Sequence, residues 1–401
     1  MKRKIEKGSA QGIITAPPSK SFAHRLLIAS ALAKGACRVD GIIDSVDMAA
    51  TLCCISALGR SYKKTGDTVW INGENESAER VFNCYESGST LRFFIPIALL
   101  SDKECTFVGT ERLMSRGIEI YEEIFKNQNI SCEKTKTTLT LKGKLKPDVF
   151  SLRGDVSSQF ISGLMFALPL LDGDSVINIT TQLESSAYID ITIEALKLFG
   201  VQIERCNSSF YIKGNQKYIC ANVTVEGDYS NAAFLDGFNL LGGDVSVLGL
   251  NKSSVQGDKA YLDYFAEIAK SNPTIDISMC PDLGPVLFAL AAVKNGATFV
   301  GTKRLKIKES DRAEAMKAEL QKFGVDVQVF ENSVIVGNGA KAPSTTLCGH
   351  NDHRIVMALT LILTLLGGEI DGCEAVKKSY PDFFEDIAKL GIRSTTLDEN
   401  N

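Results

Sequence analysis

The sequence predicts an α/β protein of two similar domains, each of three α/β repeat units, six in all. Two recurring segment types and one short spacing carry that reading. The first type opens on a small polar residue or an acid, runs on as an apolar stretch of helix length, breaks, and ends β-rich. Copies begin at Ser21, Ser87, Ser157, Asp228, Asp282 and Asp352. Their start-to-start spacings, by subtraction of those numbers, are 66, 70, 71, 54 and 70. The second type is an amphipathic run, then Gly, then a hairpin pattern. It is clearest in ITIEALKLFGVQIERCNSSFYIKG, ending at Gly214, and EAMKAELQKFGVDVQVFENSVIVG, ending at Gly337.

In the latter copy, Leu320 and Phe323 share a helix face, Gly324 stops the helix, and Asn332-Ser333 turns between alternating strands. Weaker copies run from Asp47 to Gly73, from Gly117 to Gly143 and from Lys259 to Ile277, and a truncated one begins near Asp382. Such units cannot bury both faces alone and must pack on one another. The one short spacing, between Asp228 and Asp282, falls just past the middle and places a boundary near Val225 to Asp228. Two three-unit domains with a cleft between them, closing over a ligand about a hinge, are the simplest arrangement.

Composition narrows the function. Of 401 residues, 44% are hydrophobic and 23% charged, which excludes a disordered, collagenous or coiled-coil chain. Lys plus Arg number 44 against 48 Asp plus Glu, a net charge of −4, so no global field gathers nucleic acid or anionic membrane. Positive charge for an anionic ligand must be local. The 11 cysteines are odd in number, two are adjacent (Cys53, Cys54) and no C-x-x-C occurs, which favours a reduced compartment over a disulfide framework. MKRKIEKG is not followed by an apolar h-region, so no signal peptide is expected. The longest apolar run, Ile355 to Leu366, is shorter than the roughly 20 residues of a membrane span. A soluble, cytoplasmic protein is expected.

Helix N termini present unbonded N–H groups and a positive dipole end, so each of the six starts is either an ordinary cap or an anion site. Taken singly, each reads as a cap. Three carry more: Lys20-Ser21 with Arg25, the run Ser157-Ser158-Gln159, and His353-Arg354 opening the most apolar run. A small phosphorylated, hydroxylated substrate needs such a mixture of cations and hydroxyls. The stretch RLKIKESDRAEAM crowds Lys308, Glu309, Asp311 and Arg312 at a strand-to-helix junction, with Glu309 and Arg312 on one face if the helix has begun. By itself it is also a solvated helix start. Asp282, between Pro281 and the apolar LGPVLFALAA, is a candidate for a raised pKa and general-base work, although a lone Asp there is more often only a cap.

Rival chemistries fare worse. His350-x-x-His353 lacks a third metal ligand at suitable spacing, and His24 has no nearby acid. No G-x-S-x-G elbow occurs, and neither Gly88-Ser89-Thr90 nor Gly242-Gly243 is long enough for a phosphate loop. Composition and spacing therefore lead to a two-domain α/β enzyme acting on a small phosphorylated anion.

Together, APPSKSFAHRLLIASALAKG, SGSTLR, RLMSRGI, GDVSSQF, SSAYIDIT, PDLGPVLFALA, KIKESDR, NDHR and KKSYPDFF resemble the 5-enolpyruvylshikimate-3-phosphate synthase family (3-phosphoshikimate 1-carboxyvinyltransferases), in order and over essentially the whole chain. The resemblance implies the enolpyruvyl transferase fold, an inside-out barrel-like architecture with an interdomain cleft. Residues 19–226 would form the first domain, mainly on the 3-phosphoshikimate side. Residues 1–18 plus 227–401 would form the second, with the catalytic acids and phosphoenolpyruvate-binding cations. The implied reaction joins phosphoenolpyruvate to 3-phosphoshikimate with release of phosphate, on the route to chorismate and aromatic amino acids. No metal or organic cofactor is implied, and a monomer is expected.

Carried over by position, Lys20, Ser21, Arg25, Ser157, Ser158, Gln159, Ser185, Asp282 and Lys308 would hold 3-phosphoshikimate. Phosphoenolpyruvate would lie against Lys20, Gly88, Arg116, Gln159, Arg312, Arg354 and Lys378. The resemblance makes Asp282 the base for the 5-hydroxyl and Glu309 the acid for the methylene, assisted by Lys20. It thus gathers seven cations against two acids, a basic site in an acidic chain. The family often has Asn where Glu86 stands, some members have Asn at the position of Arg304, and Gly117 replaces a common Pro. Glu86 and Arg304 are therefore left outside the site.

The sister family, the UDP-N-acetylglucosamine 1-carboxyvinyltransferases, shares fold and chemistry. It differs in having Asn after the first-motif Lys and a mobile-loop Cys beside the phosphoenolpyruvate Arg. Here Ser21 follows Lys20, and RLMSRGI holds no Cys. A non-catalytic metabolite sensor on the same fold would be expected to lack Asp282 or Glu309, and both are present.

Overall fold

A computed structural model describes residues 1–74 and 79–397, and the chain divides into two compact units. One is Pro18–Glu226; the other joins Met1–Pro17 to Gly227–Asn401. Within Pro18–Glu226, three four-stranded sheets share one plan, a parallel pair extended by two antiparallel strands. In the first, Asn222–Thr224 runs parallel to Cys37–Asp40, followed by Thr68–Glu74 and Arg60–Thr65. The second orders Val81–Tyr85, Cys105–Gly109, Thr138–Lys142 and Ser131–Lys134 in the same way. The third orders Val149–Leu152, Ser175–Ile179, Ser209–Ile212 and Glu204–Cys206. The repeated hairpin pattern of the sequence is thus a repeated sheet.

In the other unit the plan recurs twice. One sheet runs Thr274–Asp276, Ala297–Val300, Ser333–Val336 and Val327–Val329. The second is closed by the chain's first strand: Leu347–Cys348, Gly368–Asp371, Lys2–Ile5 and Ser394–Leu397. Among the described residues the third sheet has two strands, Asp244–Leu248 and Gln11–Thr15. The expected hairpin in Lys259 to Ile277 is absent. That segment is a helix, Tyr261–Lys270, and one strand, Thr274–Asp276, which joins the next sheet. Two missing strands account for the short spacing between Asp228 and Asp282.

The first-type segments form helices that lie inside their unit. Every residue of Gly284–Val293 except the last is buried, as are twelve consecutive residues from His353 in the helix His353–Leu366. Strands such as Cys37–Asp40 and Ala297–Val300 instead alternate buried and partly exposed residues, as outward-facing sheet should. A helix apolar all round belongs in an interior, and the sequence pattern already required this.

Close helix packing fixes some residues absolutely. A Cβ at Gly163 would lie 2.2 Å from the Tyr121 hydroxyl oxygen and 2.4 Å from the Arg92 carbonyl oxygen. Tyr121 donates to the carbonyls of Arg92 (2.8 Å) and Phe160 (3.0 Å), tying the helix Gly88–Ala98 to Ser158–Ala167. Gly163→Ala is expected to destabilise the protein by about 1–3 kcal/mol, read as a lower denaturation midpoint in urea. An unchanged midpoint would show that this packing tolerates expansion.

The caps follow the sequence in four places and depart in two. Ser87, Ser157, Asp228 and Asp352 each accept a backbone N–H at a helix start. For the first helix, Lys20–Leu32, the cap is Ser19 rather than Ser21, because Ser19 precedes the turn and accepts from Phe22 N. Asp282 is no cap either. It sits inside a 3₁₀ turn, Pro281–Leu283, just before Gly284–Val293, and its carboxylate is turned to cations instead.

Candidate functional site

In the unit Pro18–Glu226, hydrogen bonds join the N-terminal turns of two buried helices, Gly88–Ala98 and Ser158–Ala167, and tie them to the segment Arg116-Gly117. Gln159, in the first turn of Ser158–Ala167, donates to Ser89 Oγ at 2.9 Å and accepts from Arg92 Nη1 at 2.7 Å. Arg92 Nη2 in turn holds the carbonyls of Arg116 (3.0 Å) and Gly117 (3.2 Å). Gly88 lies directly beneath the Arg116 guanidinium: a Cβ there would stand 2.8 Å from Nη1 and 3.0 Å from Cζ. Gly117 has φ +77°, in the left-handed region. Proline, whose ring holds φ negative, cannot adopt it, so Gly and not the common Pro fits this backbone.

Arg25 is anchored deeply. Its guanidinium donates to Thr192 Oγ1 (2.7 Å), Ser21 O (2.7 Å) and Tyr188 O (2.9 Å), and lies 5.0 Å from the Phe93 ring centroid. Burial pulls its pKa down to about 9. Ser162 Oγ meets Thr192 Oγ1 at 2.7 Å, which connects this anchor to the helix carrying Ser157, Ser158 and Gln159. Ser185 is buried in a left-handed conformation, φ +53°, at the start of Ser186–Leu198. Lys20, the first residue of its helix, pairs with Asp47 at 3.0 Å. A second line of hydroxyls links that helix to Gly88–Ala98: His24 Nδ1 to Thr51 Oγ1 (2.7 Å), Thr51 to Thr90 (2.9 Å), and Thr90 to Ser87 Oγ (2.8 Å). Burial drives His24 well below the usual imidazole range, with Lys20 and Arg25 adding to the effect, so this link is neutral.

The other unit holds a charge cluster. Asp282 Oδ1 lies 3.1 Å from Lys308 Nζ and 2.8 Å from Arg312 Nη1, while Oδ2 lies 3.2 Å from Arg354 Nη2. Arg354 Nη1 also donates to the Asp282 carbonyl at 3.1 Å and to Ser230 Oγ. Arg312, 1% exposed, bonds Glu309 (2.7 Å) and Asp352 (2.8 Å) as well. Lys378 Nζ donates to Asn351 O at 2.7 Å. The helix Arg312–Lys322 is capped by Asp311, so Glu309 precedes it. The Glu309–Arg312 pair therefore comes from the incoming loop and not from one helix face.

The electrostatics overturn one expectation. Burial pushes the Asp282 carboxyl up, as its apolar flank suggests, but Arg354, Lys308 and Arg312 outweigh burial and hold it well below the usual carboxylate range. Burial lowers Lys308 to about 8 despite Asp282. Burial also opposes the charge on Arg312, yet Asp352, Glu309 and Asp282 raise its pKa further. The resting clusters are not simply basic: Lys20 faces Asp47, and Lys308, Arg312 and Arg354 share Asp282, Glu309 and Asp352.

The structure brings together Gly88, Arg116 and Gln159, with Arg25 tied to the same helices, and in the other unit Asp282, Lys308, Glu309, Arg312 and Arg354. Residue-by-residue reading missed Asp47, Arg92 and Asp352 as partners. The adjacency of Asp352 to His353-Arg354 and the Arg inside SGSTLR were the available signals. His350 and His353 turn to different carboxylates, Glu319 at 2.8 Å and Asp352 at 3.9 Å. Among the described residues, no three His, Cys, Asp or Glu side chains are grouped to hold a metal ion.

The chain is similar to known proteins over nearly its whole length. The family described as EPSP synthase (3-phosphoshikimate 1-carboxyvinyltransferase) matches residues 5–387. A 3-phosphoshikimate 1-carboxyvinyltransferase from Clostridium novyi is 42% identical over 97% of both chains. One from Clostridioides difficile is 39% identical over 99% of this chain and 98% of its own. An EPSP synthase structure from Acinetobacter baumannii superposes with a TM-score of 0.78 at 22% identity, covering 98% of this chain and all of the other. That structural likeness speaks to the fold alone.

Proposed function

The chain belongs to the EPSP synthase (3-phosphoshikimate 1-carboxyvinyltransferase) family, and from that premise we propose that it transfers the enolpyruvyl group of phosphoenolpyruvate to the 5-hydroxyl of 3-phosphoshikimate, releasing phosphate. The observation that carries the site assignment is the Asp282 carboxylate bonded by Lys308, Arg312 and Arg354. An acid in such company is held ionised and beside groups that bind anions. The family relation favours this reaction over the UDP-N-acetylglucosamine one. We place the enzyme in the cytoplasm as a monomer. Its eleven free thiols suit a reducing compartment, and among the described residues no helix is long and apolar enough to cross a membrane.

In this reading Ser21, Arg25, Ser157, Ser158, Gln159 and Ser185 hold 3-phosphoshikimate, with Lys20, Lys308 and Asp282 contributing. Gly88, Lys20, Arg116, Gln159, Arg312, Arg354 and Lys378 hold phosphoenolpyruvate, its phosphate and carboxylate met by Arg forks. Asp282 takes the 5-hydroxyl proton as the oxygen attacks C2, and Glu309, assisted by Lys20, protonates the methylene at C3. The tetrahedral intermediate then loses phosphate as a C3 proton departs, restoring the double bond. Incoming anions share the charge of Arg312 and Arg354, which relieves their hold on Asp282 and strengthens it as a base.

Purified protein should release phosphate only with both substrates present. No release would reject the activity, and release with UDP-N-acetylglucosamine in place of 3-phosphoshikimate would select the sister reaction. The Lys308 charge adds a pH test. A lysine with its pKa lowered to about 8 is charged below that pH and neutral above it. kcat/KM should therefore fall as pH rises through about 8, and Lys308→Arg should move that limb upward. An alkaline limb unmoved by the substitution would assign it to another group.

A further inference from the structure

Glu319, a carboxylate outside the roles assigned above, holds the turn that launches the helix His353–Leu366. It lies on the helix Arg312–Lys322 and is 1% exposed. Oε2 accepts from Cys348 N at 2.8 Å, and Oε1 meets His350 Nε2 at 2.8 Å. Lys322 Nζ bridges both oxygens at 3.0 and 2.9 Å. Burial pushes this carboxyl up, but His350, Lys322 and Cys348 together outweigh burial and hold it ionised.

The turn it grips is strained. His350 and Asn351 both adopt left-handed backbone, φ +50° and +52°. Non-glycine residues persist there only where their surroundings over-determine them. Here one helix supplies the constraint at both ends. Arg312 bonds Asp352, and Glu319, two turns further along and hence on the same face, bonds Cys348 and His350. Asp352 then caps the helix through Arg354 N at 2.9 Å, and Asn351 O receives Lys378 Nζ at 2.7 Å. Two of the cations given to phosphoenolpyruvate, Arg354 and Lys378, thus depend on this turn.

We propose that Glu319 is a positioning residue for the phosphoenolpyruvate-binding cations: by holding His350 left-handed it sets where Asp352, Arg354 and Lys378 stand. The functional half of this proposal rests on the assignment of those cations to phosphoenolpyruvate. Glu319→Gln is expected to raise KM for phosphoenolpyruvate about tenfold, the factor equivalent to one left-handed non-glycine residue. KM for 3-phosphoshikimate, held chiefly by Pro18–Glu226, is expected to stay unchanged.

Suppression separates positioning from a general structural role. Glycine takes the left-handed conformation without the penalty, so the double variant Glu319→Gln/His350→Gly is expected to recover most of the loss. Equal rises in both KM values, or a double variant as impaired as the single, would overturn the proposal. Should Glu319→Gln fail to fold, His350→Ala removes the His350 bond with Glu319 and its Cys348 bond in place, and is expected to show a phosphoenolpyruvate-specific rise in KM; an unchanged KM overturns the proposal. Hydrogen exchange over residues 347–356 needs no turnover. Faster exchange in Glu319→Gln, restored in the double variant, supports the turn's dependence on Glu319, and unchanged exchange in the single variant overturns it. Wild-type protein inactive with both substrates would reject the activity while leaving the exchange result to stand.

Discussion

Replacing Asp282 by Asn is expected to lower kcat by roughly a hundredfold or more while phosphoenolpyruvate still binds, since a positioned general base contributes about 10²–10⁴ in rate. The amide keeps the shape of the side chain and loses the proton acceptor. It also removes the anion that Lys308, Arg312 and Arg354 share in the resting protein. Those cations then have less internal competition, so phosphoenolpyruvate affinity, measured by titration calorimetry, is expected to be retained or increased. Arg312 keeps Glu309 and Asp352 as partners, which protects the fold from an uncompensated buried charge. Near wild-type kcat would remove Asp282 from the chemistry. Loss of phosphoenolpyruvate binding would make its role structural.

The second large effect belongs to Gly88→Ala. The three atoms nearest the added methyl all belong to the Arg116 guanidinium, at 2.8–3.0 Å, so the flexible side chain yields and the fold is retained. The cost falls on the placement of Arg116. A displaced charge-assisted hydrogen bond is worth about 1.5–3 kcal/mol, so KM for phosphoenolpyruvate should rise by roughly ten- to a hundredfold. 3-phosphoshikimate binding should not weaken with it. Equal weakening of both ligands, or a lower thermal midpoint, would place Gly88 in the packing and not in the pocket.

Repetition made the fold legible. Spacing alone separated six units, and the copy followed by the one short spacing proved to be the one whose sheet has two strands instead of four. The inner helices were readable because runs such as LGPVLFALAA have no polar face to offer solvent. What could not be read was pairing between distant segments. Nothing local in the sequence ties Lys2–Ile5 to Gly368–Asp371 and Ser394–Leu397.

The same holds for the charges. Motifs named the cations but not their resting partners, because Asp47 and Asp352 read as ordinary acids near helix starts. Asp282 shows the consequence. Its apolar neighbours argued for a raised pKa, and the three cations that reverse the shift, Lys308, Arg312 and Arg354, are all remote from it in sequence. A pKa belongs to the folded surroundings, and only local ones are visible in a sequence. The left-handed pair His350-Asn351 was equally hidden, since neither residue demands that conformation.

The most direct test of the addition–elimination route is to run the reaction in D2O and weigh the product. Protonation of C3 followed by loss of a C3 proton requires deuterium in the methylene of the enolpyruvyl ether, in step with phosphate release. Glu309→Gln is expected to slow both together. An enolpyruvyl product free of deuterium, or phosphate released without the ether, would contradict the assignment of Asp282 and Glu309 to this reaction.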